Sequence, residues 1–299
     1  MNEKAQLTKQ LIHILAEQFV DDNHEADAAT IIDHSVHAGL LTLQDNEQIV
    51  DFLKQLTTLN PYLAIVLAVS FSTHQTIPST WITLNDKVTL ANDVLNGQQQ
   101  LLPGASLMQQ LLLIKDDHVY QCSLNELHVE QQHYQEFVNF KNTNVKSLMI
   151  SNHDWQLDLL KYLTAILAQW QHDMVGYLVE YGKNTLVDGY GLAMWAPNQA
   201  KIATIVALAS STNLQAQAIL NLQPQTEAEH EQIKVAIIAS WQALQKIYQT
   251  LQTIFDQNGY DDQLLWQKWQ HTYEILQGLQ ALDPNSNAVI TYAEMHKQR

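Results

Sequence analysis

Trp81-Ile82-Thr83-Leu84-Asn85-Asp86-Lys87-Val88-Thr89-Leu90 is the stretch on which the fold turns. β-Branched and aromatic residues flank an Asn-Asp pair, which predicts two short strands around a turn. Upstream the pattern is helical. Leu7, Leu11, Ile12, Leu15 and Phe19 recur at the 3.6-residue period, as do Ile31, Ile32, Val36, Leu40 and Leu41. Ile49, Phe52, Leu53 and Leu56 make a further apolar face, and Asn60-Pro61 opens a segment apolar all round, as in a buried helix. Downstream, residues 111–114 and 118–124 around Lys115-Asp116-Asp117 predict a second hairpin. Phe137, Val138 and Phe140, followed by residues 145–150, predict further strands, and Pro103-Gly104 reads as a hinge between them. From Asn152 the helical period returns, with helices predicted over 152–181, 198–221, 227–257 and 262–281 and a loop around Asp188-Gly189-Tyr190-Gly191. The expected class is therefore mainly α with a small antiparallel β insert: helices over 1–76, a β domain over 77–150 and a long-helix bundle over 151–299.

Composition supports long helices, since 299 residues contain only 9 glycines and 6 prolines. A formal charge of −16 argues against nucleic acid and anionic membranes as partners, both of which attract basic surfaces. Of the 15 basic residues, Arg299 is the only arginine, so the fork that usually grips pyrophosphate or carboxylate is missing from the body of the chain. The longest uncharged apolar run, residues 62–71, is too short for a bilayer, and the first residues lack a signal-peptide core. A soluble, cytoplasmic protein is expected, and the lone Cys122 fits a reducing compartment.

Candidate chemistry is sparse. His34 and His37 stand one helical turn apart beside Asp33, but no cysteine or HExxH spacing completes a metal site, and a solvated acidic face accounts for them. His128, Glu130, His133 and Glu136 alternate between the faces of an extended segment, which predicts an exposed polar strand and loop. Cys122 has no base beside it and reads as a buried, inert thiol. Trp155, Trp170, Trp195, Trp241, Trp266 and Trp269 read as core or subunit-interface anchors. No dinucleotide, P-loop or hydrolase-elbow motif occurs.

Three stretches resemble the acyl-CoA dehydrogenase family. His37-Ala38-Gly39-Leu40-Leu41 with residues 53–71 is similar to the family's amino-terminal helices, including an apolar helix that ends near a Ser/His pair, here Ser70 and His74. Lys87-Val88-Thr89-Leu90, Leu102-Pro103-Gly104-Ala105 and Leu111-Leu112-Leu113-Ile114 resemble the second half of its β domain. Val179-Glu180-Tyr181-Gly182-Lys183-Asn184 resembles the lead into its flavin-contacting loop. The resemblance implies amino-terminal helices, a reduced β domain and a carboxy-terminal four-helix bundle. It also implies assembly as a homodimer or homotetramer, and FAD as cofactor if the family's chemistry is kept.

The departures from the family pattern point the other way. In an ungapped count the family's flavin-contacting arginine falls on Thr185, its glutamine and phenylalanine fall on Val187 and Asp188, and only Gly189 is kept. The family base, a glutamate nine residues after a basic residue, falls on Gln277 after Lys268. An amide accepts no proton near neutral pH, so Gln277 is expected to be inactive. The alternative base position falls on Leu159 or Leu160, and Glu274, one turn before Gln277, is left as the candidate displaced base. The expectation is a scaffold whose dehydrogenase chemistry is lost, with no cofactor. The alternative is an FAD-dependent oxidoreductase acting on an acyl thioester or similar substrate.

Overall fold

The computed structural model describes residues 46–258, apart from 76, 85–86, 103, 116–117, 133–134, 149–152, 185, 188–189, 193–195 and 224–225, together with 269–270 and 272–274. The helices expected over 1–45, with His34 and His37, lie outside these residues. The chain divides into two compact units, Met1–Leu159 with His271–Arg299 and Leu160–Gln270.

In the first unit, helix α1 (Asn46–Leu59) buries Ile49, Val50, Phe52, Leu53 and Leu56. The side chain of Asn60 accepts from the Leu63 N–H at 3.3 Å and Pro61 takes the first helical position, so the chain restarts at once as α2 (Pro61–Ser72). Every α2 residue except Tyr62 is buried, as an all-round apolar sequence requires. Phe52 and Phe71 meet edge to face at 6.0 Å. Hydroxyls at the end of α2 then aim the following strand. Ser70 Oγ accepts the Ser79 N–H at 3.3 Å, and Ser72 Oγ accepts the Trp81 indole N–H at 3.1 Å.

The eight strands among the described residues of this unit form two four-stranded sheets. β1 (Ser79–Thr83), β4 (Gln110–Lys115), β5 (His118–Ser123) and β8 (Lys146–Leu148) lie in the order β1-β4-β5-β8. β2 (Val88–Ala91), β3 (Val94–Leu101), β6 (Val129–Gln132) and β7 (Gln135–Asn144) lie in the order β2-β3-β7-β6. The expected hairpin at 118–124 is present, with Leu113 opposite Tyr120. The hairpin expected across Asn85-Asp86 is not. β1 runs parallel to β4, with Trp81 opposite Leu112, and β2 instead pairs with β3 across Asn92-Asp93. Asn92 and Asp93 hold φ of 51° and 59°, which two-residue hairpin turns require and which Asn and Asp tolerate. Trp81 and Ile82 are both buried although they point to opposite faces, so this edge strand is covered on both faces. The insert is thus two sheets with one parallel pair.

Two glycines fix this unit. Gly97 (φ 130°) lies where the β3–β7 register shifts, and a Cβ there would stand 2.2 Å from the Lys87 carbonyl oxygen. Gly104 (φ 78°) is buried, and its Cβ would stand 2.5 Å from Cγ2 of Val66 in α2. The expected hinge at Pro103-Gly104 is therefore a packed corner on the Gly104 side, since its backbone has no room to swing past Val66.

The second unit is helical. α3 (His153–Asn184), whose first residues belong to the first unit, α4 (Ala196–Leu220) and α5 (Glu227–Asn258) replace the expected 152–181, 198–221 and 227–257 within a few residues. α5 starts at a capping box: Thr226 Oγ1 accepts the Glu229 N–H at 3.3 Å while the Glu229 carboxylate accepts the Thr226 N–H at 3.0 Å. Within this unit Gln171 donates to the Ser240 carbonyl at 2.7 Å, and Tyr177 and Tyr181 meet Phe255 edge-on at 6.4 and 5.5 Å. The fourth helix, expected over 262–281, is described only at 269–270, in this unit, and at 272–274, in the first; these residues are helical. Between α3 and α4, β9 (Leu186–Val187) pairs with β10 (Tyr190–Gly191). Among the described residues no helix is long and apolar enough to cross a membrane.

Candidate functional site

The stretch that resembles the flavin-contacting loop begins at the end of α3. Helical hydrogen bonding carries the chain to Asn184, and the β9–β10 pair follows, with Val187 opposite Tyr190 and Leu186 opposite Gly191. Thr185 and Gly189, the residues at the family's loop positions, lie outside the described residues. Lys183, the basic residue nearest to them in sequence, is held by Glu180 at 2.6 Å, with both side chains exposed. Among the described residues of this stretch the one lysine is thus paired with a carboxylate, and the stretch contains no arginine.

The base positions are equally plain. Gln277 lies outside the described residues. Glu274 is exposed on a helical turn. Leu159, at the alternative base position, is buried and Leu160 half-buried, and neither can take a proton. The Ser70 and His74 pair of the amino-terminal resemblance is divided between two structural contacts. Ser70 serves the Ser79 backbone, and His74 Nε2 lies 2.8 Å from Asp158 Oδ2, joining the end of α2 to the first turns of α3.

Other sequence candidates resolve to packing. Trp155, Trp170, Trp241 and Trp269 are buried, while Trp195 and Trp266 lie outside the described residues. Cys122 is buried on β5, and desolvation, with the Glu126 carboxylate second, raises its pKa to about 12. The thiol is therefore protonated at neutral pH and is no nucleophile. Among the described residues no three His, Cys, Asp or Glu side chains gather as a metal site.

Glu136, expected on an exposed polar segment, is 6% exposed. Its carboxylate accepts from the Gly104 N–H at 3.1 Å, the Ser106 N–H at 2.8 Å and the Ser106 hydroxyl at 3.1 Å. It thereby ties β7 to the short 3₁₀ turn Ala105–Leu107 and to the corner that packs on Val66. The signal was in the alternation, because Glu136, Val138 and Phe140 lie two apart on one strand and all three are buried.

No protein-family model matches this chain, and no curated protein sequence does. Solved structures do. A chain described as the electron transferring flavoprotein of Acidaminococcus fermentans is 13% identical at a TM-score of 0.73, with 98% of this chain and 98% of that chain covered. Butyryl-CoA dehydrogenase from Megasphaera elsdenii is 11% identical at a TM-score of 0.68, with 93% and 94% covered. A glutaryl-CoA dehydrogenase from Mycobacterium smegmatis, solved in complex with FADH2, is 11% identical at a TM-score of 0.67, with 93% and 90% covered. Over nearly its whole length, this chain has an acyl-CoA dehydrogenase-like fold.

Proposed function

We propose that this protein is an acyl-CoA dehydrogenase-like scaffold that has given up dehydrogenase chemistry and serves a binding or oligomeric role. One observation carries the reading. The only arginine is Arg299, and Thr185 stands where the family places its flavin-contacting cation. A dinucleotide brings a doubly charged pyrophosphate that must be met by cations or a nest of amides. Gln277 at the base position supports the same reading, since proton abstraction beside a thioester needs a carboxylate there. The test is a visible spectrum of the purified chain, followed by dye reduction with acyl-CoA substrates. A colourless, inactive protein is expected. A yellow protein that reduces the dye overturns the reading and establishes the alternative, an FAD-dependent oxidoreductase on an acyl thioester. The alternative draws on the FADH2 of the glutaryl-CoA dehydrogenase neighbour and on the retained Gly189.

The oligomeric part of the reading rests on α4. Its outward residues include Ala203, Thr204, Val206, Ala207, Ser210 and Leu214, and its single ionisable residue is Lys201. In a chain carrying −16, an uncharged face is where two copies can meet with least repulsion. Self-association as a homodimer or homotetramer through α4 follows.

A further inference from the structure

A polar cleft of about 530 Å³ opens at one end of the first sheet, wholly within the first unit. It shares no residue with the positions singled out by the family resemblance. Strand register builds it. Gln110 stands opposite Ser123 and Gln121 opposite Lys146, and because Gln110 and Leu112 are two apart, all four polar residues share one face of the sheet. Glu126 enters from the 3₁₀ turn Leu124–Glu126 that follows β5. Gln110 Oε1 is held by the Ser79 hydroxyl at 3.4 Å. Among the described residues the side chains of Gln121, Ser123, Glu126 and Lys146 make no hydrogen bond or ion pair.

The lining limits what can sit there. One lysine without an arginine or a helix N-terminus is a poor phosphate site. Among the described residues no aromatic ring lines the cleft, so they offer no stacking platform for a base or a sugar. What it does offer is one carboxylate, one ammonium group and carboxamides that both donate and accept. We propose that this cleft binds a free α-amino acid with a polar, uncharged side chain. The ligand ammonium pairs with Glu126, its carboxylate pairs with Lys146, and Gln110 and Gln121 meet the side chain.

Calorimetric titration of the full chain with L-glutamine tests this, alongside 4-aminobutanamide, which lacks the carboxylate, and glutaramic acid, which lacks the ammonium. Saturable binding of L-glutamine is expected, with each analogue weaker by about tenfold or more, since each loses a charge-assisted contact. Lys146→Gln should bind L-glutamine no better than 4-aminobutanamide, and Glu126→Gln no better than glutaramic acid. Both substitutions are on exposed side chains, so the fold is retained. Absence of saturable binding below about 10 mM overturns the proposal, as does equal affinity for the three compounds or for the two variants.

Discussion

Glu136→Gln is the most direct test of how the β sheets are tied together. The carboxylate accepts from at least three donors. Oε1 accepts from the Gly104 N–H and the Ser106 hydroxyl, and Oε2 accepts from the Ser106 N–H. Glutamine keeps one oxygen, and placing it at Oε1 preserves two of the three contacts. Its –NH2 group then faces the Ser106 N–H, donor against donor. A hydrogen bond to a charged group contributes about 1.5–3 kcal/mol, and an orphaned buried donor costs about 1–3 kcal/mol. Ser106 is exposed, so water can recover part of that loss, and the net cost should be about 2 kcal/mol. Urea unfolding followed by far-UV circular dichroism reads this out. At a slope of about 2 kcal/mol per molar urea, the transition of the first unit should fall by about 1 M. Glu130→Gln is the control, because among the described residues Glu130 meets Asn139 alone, at 3.4 Å in an exposed contact, and such changes stay within about 0.5 kcal/mol. If Glu136→Gln shifts the midpoint no more than Glu130→Gln, the buried carboxylate does not hold the Gly104 corner.

Gly104→Ala should cost about 2–4 kcal/mol, combining a left-handed backbone with overlap on Val66, and Val66→Ala in the same chain should return at least about 1 kcal/mol in a double-mutant cycle by urea unfolding. Cys122 should react with iodoacetamide at pH 8 about 1,000-fold more slowly than a free thiol, since raising the pKa from 9.0 to about 12 removes that much thiolate. The sign of the linkage follows: the folded thiol stays protonated while the unfolded one ionises near pH 9, so Cys122 should make the fold lose stability as pH rises from about 9 towards 12, a trend that Cys122→Ala should reduce in thermal melts. Leu214→Glu, at a residue 67% exposed on α4, should leave the melting temperature unchanged and reduce the mass measured by light scattering to that of one chain. An unchanged oligomer would exclude this face as the contact.

Among the described residues, sequence alone determined which are helical and which stretch carries the strands, because hydrophobic periodicity is a local property. The all-round apolar stretch after Asn60-Pro61 could only be a buried helix, and the runs after Asn152 and Thr226 carry the 3.6 period almost to their observed ends. Site chemistry was legible only as departure: Thr185, Gln277 and the lone Arg299 state what the chain lacks without saying what it binds. Strand pairing was decided by tertiary structure. Two Asn-Asp pairs stand seven residues apart with strand-like residues around both, and nothing local says that the chain reverses at Asn92-Asp93 while β1 travels to β4. β3, with Gln98, Gln99 and Gln100, has weak strand propensity and exists because β2 and β7 supply its partners. Gly104 reads locally as a hinge, and only the arrival of Val66 from α2 and Glu136 from β7 turns it into a fixed corner. The physical reason is one of range: side-chain period is written along a few consecutive residues, whereas register and burial depend on partners tens of residues away, which are chosen only when the chain packs.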